Sequence, residues 1–287
     1  MRARRRAPGA GALTATDGTE FDAVAEAYDR VRPGYPAQLV DATCARASLG
    51  PGSRVLEVGC GTGKLTAALA ERGLVVDTVD PGERLLARAR ARVDAGTVTF
   101  HLGRFEDVSL PEGAYEAVFS GTAFHWIDPD VGWSKTARLL RPGGVLALLQ
   151  TGLGGPVTEL DHAILAAWRE VLPAAAGWSY RDPFTLWDGV ERRLGNVSEV
   201  WAWLTKHDVG RTEVAGMFAG VEVMGVPVVA AQRADDYLAL LRTTSSYLRL
   251  PASARRRLES RIRAAFARAG GVLRRAELTT LVTARRA

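Results

Sequence analysis

Three glycines and two carboxylates carry the first chemical signal of the chain. Val55-Leu-Glu-Val-Gly-Cys-Gly-Thr-Gly-Lys-Leu-Thr66 runs from an apolar strand into a helix, with glycines at 59, 61 and 63. Glycine lacks a Cβ and tolerates left-handed dihedrals, so such a turn can be tight and a ligand can lie directly on its backbone. A dinucleotide loop reads G-x-G-x-x-G and seats a pyrophosphate at a helix N-terminus. Here the spacing is G-x-G-x-G, and Glu57 lies two residues before the first glycine. A carboxylate there repels a pyrophosphate but suits the amino group of a cationic, amino-acid-bearing ligand. Asp80 closes a second apolar run and is placed to accept from ribose hydroxyls, a role that nicotinamide enzymes share. Gly103-Arg-Phe-Glu-Asp107 follows a third run. It offers Phe105 to the face of a base and Glu106 or Asp107 to its amino group.

The elements that must position these residues alternate as a doubly wound α/β sheet requires. Strands are expected at Arg54–Val58, Val75–Val79, Val98–Leu102, Ala117–Ser120 and Val145–Gln150. Helices are expected at Ala37–Ser48, Gly63–Glu71, Glu83–Val93 and Asp130–Leu140, the last closed by an Arg141-Pro-Gly-Gly144 turn. Beyond Thr151 the regularity breaks. A helix at Leu160–Leu172 and an aromatic-rich stretch through Trp203 read as an insertion over the C-terminal edge of the strands. Strands at Val221–Val229 and Glu277–Ala284, with helices at Ala234–Leu241 and Ser253–Ala269, complete a seven-stranded, mostly parallel, Rossmann-like sheet. The organisation is therefore a disordered basic arm over 1–20, a core over 21–150, a helical lid insertion over 151–215 and a C-terminal completion over 216–287.

Composition narrows the class. The 287 residues are 47% hydrophobic and 24% charged, which fits a globular α/β chain and excludes disordered, collagen-like and coiled-coil classes. No run approaches the ~20 apolar residues of a membrane span. Cys44 and Cys60 give neither a disulfide framework nor zinc spacing, so a cytoplasmic protein is expected. The net charge of +5 is concentrated in the first six residues, in the outward face of Glu83–Val93 and in the basic segment near the C-terminus. It reads as solvated surface more than as a nucleic-acid footprint.

Taken in order, E-x-G-x-G-x-G, the post-strand Asp80-Pro81, the G-x-F-E-D segment and the L-R-P-G-G-x-L turn resemble the class I S-adenosylmethionine-dependent methyltransferases over roughly residues 38–150. The resemblance implies S-adenosyl-L-methionine as cofactor. It places Glu57, Gly59, Cys60, Gly61 and Gly63 around the methionine part, Asp80 and Pro81 at the ribose, and Phe105 and Glu106 at the adenine. Arg104 departs from the acid that many relatives carry there, and leaves open whether Glu106 or Asp107 reaches the base. Tyr28-Asp-Arg-Val-Arg-Pro-Gly-Tyr-Pro36 and Phe124-His-Trp-Ile-Asp128 are similar to a small-molecule branch that includes trans-aconitate methyltransferases. There the first segment, with Tyr28 and Arg32, folds over the cofactor. The second follows Gly121 and Thr122 at the reaction centre and brings Phe124 and Trp126 to the acceptor, joined from the insertion by Trp178 and Tyr180. Packing is the alternative for Tyr28, Tyr35 and Trp126.

The reaction implied is in-line displacement of a sulfonium methyl, helped chiefly by orientation. An amine or carboxylate nucleophile needs no base, whereas a hydroxyl or acidic carbon does. His125 is the candidate base, with a packed ring as the alternative reading. His162 and His207 are weaker candidates, and His101 is expected to pack. Asp128 and Asp130 read as helix caps, and no metal is expected. The insertion aromatics favour an apolar acceptor, while Arg181, Arg192, Arg193 and Arg242 could pair an acidic one. Three rivals remain: an RNA methyltransferase suggested by the basic helix, a methyltransferase-like fold catalysing a non-transfer reaction such as cyclisation, and a nicotinamide oxidoreductase that Glu57 disfavours. The expected partner is a small-molecule acceptor rather than nucleic acid or membrane, with the oligomeric state open.

Overall fold

The computed structural model of the chain describes residues 19–93, 96–153, 157–179 and 183–287. Of the basic arm expected over 1–20, residues 1–18 therefore lie outside the described residues, whereas Thr19 and Glu20 begin a 3₁₀ turn. Strands β1 (Arg54–Val58), β2 (Val75–Asp80), β3 (Val98–Leu102), β4 (Tyr115–Gly121), β5 (Leu140–Leu153), β6 (Phe218–Arg233) and β7 (Val272–Arg286) form one sheet in the order β3-β2-β1-β4-β5-β7-β6. The first five pair in parallel, and β7 runs antiparallel between β5 and β6.

Strand alternation sorts the core onto both faces. Leu56, Val58, Val118 and Leu146 point to one side, where α5 (Pro129–Leu139) supplies Trp133 and Leu139. Val55, Ala117, Phe119 and Val145 point to the other, against Leu39 and Val40 of α2 (Ala37–Ala47) and Leu65 and Leu69 of α3 (Lys64–Ala70). Strands buried on both faces need no polar alternation, which is why β1 reads as a nearly continuous apolar run. Strand order reverses between β1 and β4, and a crevice opens at the strands' C-terminal ends there.

Several boundaries move. The Arg141–Gly144 turn is absorbed into β5, which pairs with β4 through a register shift between Tyr115 and Ala117. The last two strands run far past Val221–Val229 and Glu277–Ala284. They pair with each other as far as Arg233↔Val272, whereas the β5–β7 ladder stops at Leu153↔Glu277. The insertion does not act as one unit. Trp168 and Trp178 join a third core with α9 (Ala234–Leu241), α10 (Ser245–Leu248) and α11 (Ala252–Arg268), packed on α6 (Glu159–Val171). Trp187 of α7 (Pro183–Glu191) and Trp201 and Trp203 of α8 (Val197–Thr205) instead pack onto the α5 face of the sheet. The basic helix α11 buries Leu258, Ile262 and Phe266 in this core, chiefly among helices and with Leu273 at the start of β7, and Ala269 is exposed. Among the described residues no helix is long and apolar enough to cross a membrane.

Candidate functional site

The three loop glycines all have positive φ, but their surroundings differ. A Cβ on Gly59 (φ 72°) would stand 2.2 Å from Ala123 Cβ, and one on Gly63 (φ 78°) would stand 2.9 Å from Ala89. Both are packing constraints. A Cβ on Gly61 (φ 55°) would meet nothing within 4 Å, because that position faces a cavity. Asp80 clamps the loop: Oδ2 accepts from Gly61 N and Oδ1 from Gly82 N, each at 2.8 Å. Burial pushes its carboxyl up to about 6, against those two backbone N–H groups. Glu57 is 1% exposed, and its Oε2 accepts from Thr66 Oγ1 at 2.6 Å. Burial drives the Glu57 carboxyl up to about 8, the Thr66 hydroxyl opposing and nearby Asp80 reinforcing the shift.

Two adjoining cavities meet at this loop and share Tyr28, Gly59, Gly61 and Gly121. The first, with about 700 Å³ of empty space, is lined by Phe21, Asp80, Pro81, Phe105, Glu106, Trp126 and Ile127 among others. Phe105 is held there by Lys135, whose Nζ donates to the carbonyls of Phe105 and Val108 at 2.6 Å and sits 5.1 Å from the Phe105 ring. Glu106 accepts from Asp128 N at 2.9 Å and from Arg104 at 3.1 Å. Although burial opposes it, these donors hold the Glu106 carboxyl below the usual carboxylate range. Glu106 lines the cavity, whereas Asp107 is exposed and does not. Asp128 caps α5 by accepting from Asp130 N.

The second cavity, with about 1190 Å³ of empty space, contains Arg32, Tyr35, Glu57, Cys60, Lys64, Thr122, Gln150, Thr151, Leu240 and Glu277. Gly121 is required there because a Cβ would lie 2.4 Å from the Tyr35 hydroxyl. That hydroxyl is within 3.2 Å of Oγ1 of Thr122, itself at φ 57°.

A strap closes over both cavities. It consists of a 3₁₀ turn, Thr19–Val24, and α1 (Ala25–Val31). Asp22 Oδ1 accepts from the N–H groups of Arg84 and Leu85, at 2.7 and 3.0 Å, and so caps α4 (Glu83–Arg92) from another part of the chain. Asp29 meets Arg92 and Lys64. Arg32 donates to Thr243 Oγ1 and O at 3.0 and 2.9 Å. Phe21 sits edge-on to both Tyr28 and Trp126 at 5.8 Å.

Not every expected residue reaches the crevice. Phe124 is buried against Trp133 at 4.6 Å, and Trp178 stacks on Trp168 at 5.3 Å; neither lines a cavity. Tyr180 and Arg181 lie outside the described residues. His125 stacks on His207 at 4.4 Å beside Trp126 and Trp201, and its Nδ1 is buried without a partner. Burial, with His207 adding to it, pushes its imidazole down to about 3. Sequence reasoning missed Phe21, Gln150, Leu240 and Glu277. Gln150 ends an expected strand at the ligand-binding edge, which is a usable signal. Glu277 reaches that edge only because β7 runs antiparallel.

Residues 56–148 match a family profile described as a methyltransferase domain. The chain is 42% identical over 129 residues to an uncharacterised methyltransferase of Mycobacterium tuberculosis, which covers 45% of this chain and 51% of that one. It is 32% identical over 165 residues to the malonyl-[acyl-carrier protein] O-methyltransferase of Serratia marcescens, covering 55% and 62%. The chain thus spans about half the length of the first of these relatives. Among solved structures, a provisionally assigned type II methyltransferase from Anaeromyxobacter dehalogenans superimposes with a TM-score of 0.58 at 25% identity, over 89% of this chain and 96% of that one.

Proposed function

We propose that this chain, whose residues 56–148 match the methyltransferase domain profile, is a class I S-adenosylmethionine-dependent methyltransferase that transfers the cofactor's methyl group to a small-molecule acceptor. The observation that carries this reading is the contrast within the loop. Gly59 and Gly63 are filled from behind by protein, while Gly61 opens onto empty space between two buried acids, Glu57 and Asp80. Lys64, the cation next to the loop, is drawn toward Asp29. A loop flanked by two carboxylates fits a sulfonium nucleoside bearing an amino group, and disfavours a pyrophosphate.

When bound, S-adenosylmethionine supplies an electrophilic methyl group. The residues of this chain have to bind, orient and keep out water. Glu57 offers its second carboxyl oxygen to an ammonium, since Thr66 holds the first. Asp80 retains lone pairs for hydroxyls while fixing Gly61. Phe105, Phe21 and Trp126 give the first cavity apolar walls for a base, with Glu106 at its edge. The strap, tied down by Asp22, Asp29 and Arg32, covers the crevice and limits water. Orientation of this kind lowers a displacement barrier by several kcal/mol. The crevice beneath the strap supports a small acceptor over a nucleic acid. So does α11, where Arg261 pairs with Glu170 and Arg263 with Asp235, on neighbouring helices. Calorimetric titration with S-adenosylhomocysteine tests the cofactor assignment, and failure to bind at millimolar concentration overturns it.

A further inference from the structure

The second cavity holds more than the loop requires. Glu277, on β7, lines it, and among the described residues its carboxylate meets neither a cation nor a hydrogen-bond donor. Gln150, at the end of the β5 segment that pairs with β4, lines it too. Its Nε2 is turned to Thr151 O at 3.3 Å, and its Oε1 is buried with no donor. The cations of the same lining are already committed: Arg32 to Thr243, and Lys64 to Asp29 at 3.8 Å. Two arginines that could have greeted an acidic acceptor are also engaged. Arg242 forks onto Glu259 at 2.9 and 2.6 Å, and Arg193 lies 4.3 Å from the Trp203 ring. The insertion's described tryptophans line neither cavity. To a ligand, this compartment offers hydrogen-bond acceptors and negative charge. A buried acceptor without a donor is destabilising, and a ligand N–H would satisfy it. A carboxylate ligand would have to share the space with Glu57 and Glu277.

We propose that Glu277 and Gln150 make this compartment the site of an acceptor that presents an amino group, and that the transfer is N-methylation. The inference rests on the cofactor reading above. The acceptor reacts as the free amine, its ammonium proton having passed to solvent before transfer, and the nitrogen lone pair forms the N–C bond as the S–CH₃ bond breaks. The electron pair of that bond stays on sulfur, which becomes a neutral thioether, and the positive charge moves to nitrogen. The product ammonium lies against the Glu277 carboxylate and gives its proton to solvent on release. Glu277 and Gln150 orient the amine through its N–H groups, leaving the lone pair for the methyl.

The test uses the full chain saturated with S-adenosylhomocysteine and three probes of one skeleton: n-butylamine, n-butanol and n-butyrate, monitored by ligand-observed NMR. Saturation is established first, so that absence of nucleoside binding counts against the cofactor reading and is kept apart from the amine site. Butylamine should bind in the millimolar range, at least tenfold better than butanol or butyrate. Glu277→Gln should weaken it at least tenfold while leaving the nucleoside Kd within twofold. Glu277→Lys, checked for folding by nucleoside binding, should reverse the preference toward butyrate. Equal or better binding of butyrate to the native chain overturns the proposal, as does no preference among the probes or no binding of any. A Glu277→Gln variant that loses nucleoside affinity also overturns it, because Glu277 would then belong to the cofactor.

Discussion

Thr66, in the first turn of α3, donates its hydroxyl to Oε2 of Glu57 at 2.6 Å, joining the two ends of the glycine loop inside the protein. Burial leaves Glu57 nearly free of solvent and pushes its carboxyl up to about 8, with nearby Asp80 adding to the shift and the Thr66 hydroxyl opposing it. A group raised above its unfolded value binds more protons folded than unfolded between the two. Its contribution is full below about pH 4.5 and is lost as the pH climbs through about 8, and Asp80 acts in the same sense over a lower window. Glu57→Gln should therefore melt higher than the native chain at about pH 8.5, by on the order of 2–4 °C for each kcal/mol recovered. The same variant should bind S-adenosylhomocysteine at least about tenfold more weakly, ~1.4 kcal/mol. Differential scanning calorimetry and titration calorimetry read the two opposite effects, and a parallel loss of both would contradict this account.

Cofactor binding should also release a proton near neutral pH. The ligand ammonium favours the ionised carboxylate, so Glu57 must give up the proton that it holds in the empty site. Titrations with S-adenosylhomocysteine at pH 7, in buffers of different ionisation heat, should show apparent enthalpies that differ by the buffer contribution. Identical enthalpies would mean that Glu57 enters the reaction already ionised.

The glycines separate fold from site. Gly61→Val places its side chain in open space, so its stability cost should be the left-handed backbone alone, about 1–2 kcal/mol, while nucleoside binding is lost. Gly59→Val drives a side chain into Ala123 and should cost more than 3 kcal/mol by overpacking in addition to strain. Chemical denaturation of both variants checks the order, and equal destabilisation would erase the distinction drawn between them.

How far the sequence foretold this arrangement depends on which interactions were local. The β1–loop–α3 unit, Asp80 and the Phe105–Glu106 pair sit at strand ends, so their side was given by topology once the strands were placed. Glu277 was hidden because its position depends on β7 returning antiparallel between β5 and β6, a pairing between distant segments that no local pattern encodes. The tryptophans misled for the opposite reason. A large aromatic fills an inter-helix core as readily as it lines a cavity, and Trp168, Trp178 and Trp201 all took the core. The Asp22 cap on α4 was equally invisible, since capping patterns are read within a few residues and this one spans more than sixty.

That remote cap gives the strap a measurable cost of opening. Asp22→Ala removes the acceptor for the Arg84 and Leu85 N–H groups and should destabilise the fold by about 1 kcal/mol, the usual worth of an N-cap. Because the same residue pins the strap over the first cavity, limited proteolysis between residues 19 and 31 should quicken. Added S-adenosylhomocysteine should restore protection. Unchanged cleavage in the variant would place the strap's anchorage elsewhere, at Asp29 or Arg32.

His125 is the sharpest departure from a reading based on residue type. Its ring lies between Trp126 and His207, and burial holds it neutral down to about pH 3. A base whose conjugate acid is that strong removes protons poorly at neutral pH, and the turnover profile should show no His125 inflection between about pH 5 and 8. The stability linkage has the sign opposite to that of Glu57. Below about pH 6.5 the unfolded chain takes up a proton that the folded ring refuses, so stability falls with acidification through that window. His125→Leu removes this ring's share of the slope, leaving that of the half-buried His207, and removes the partnerless Nδ1. It should melt at or above the native temperature at about pH 5 and keep turnover within about threefold. A hundredfold loss of kcat with unchanged cofactor affinity would restore His125 to the chemistry.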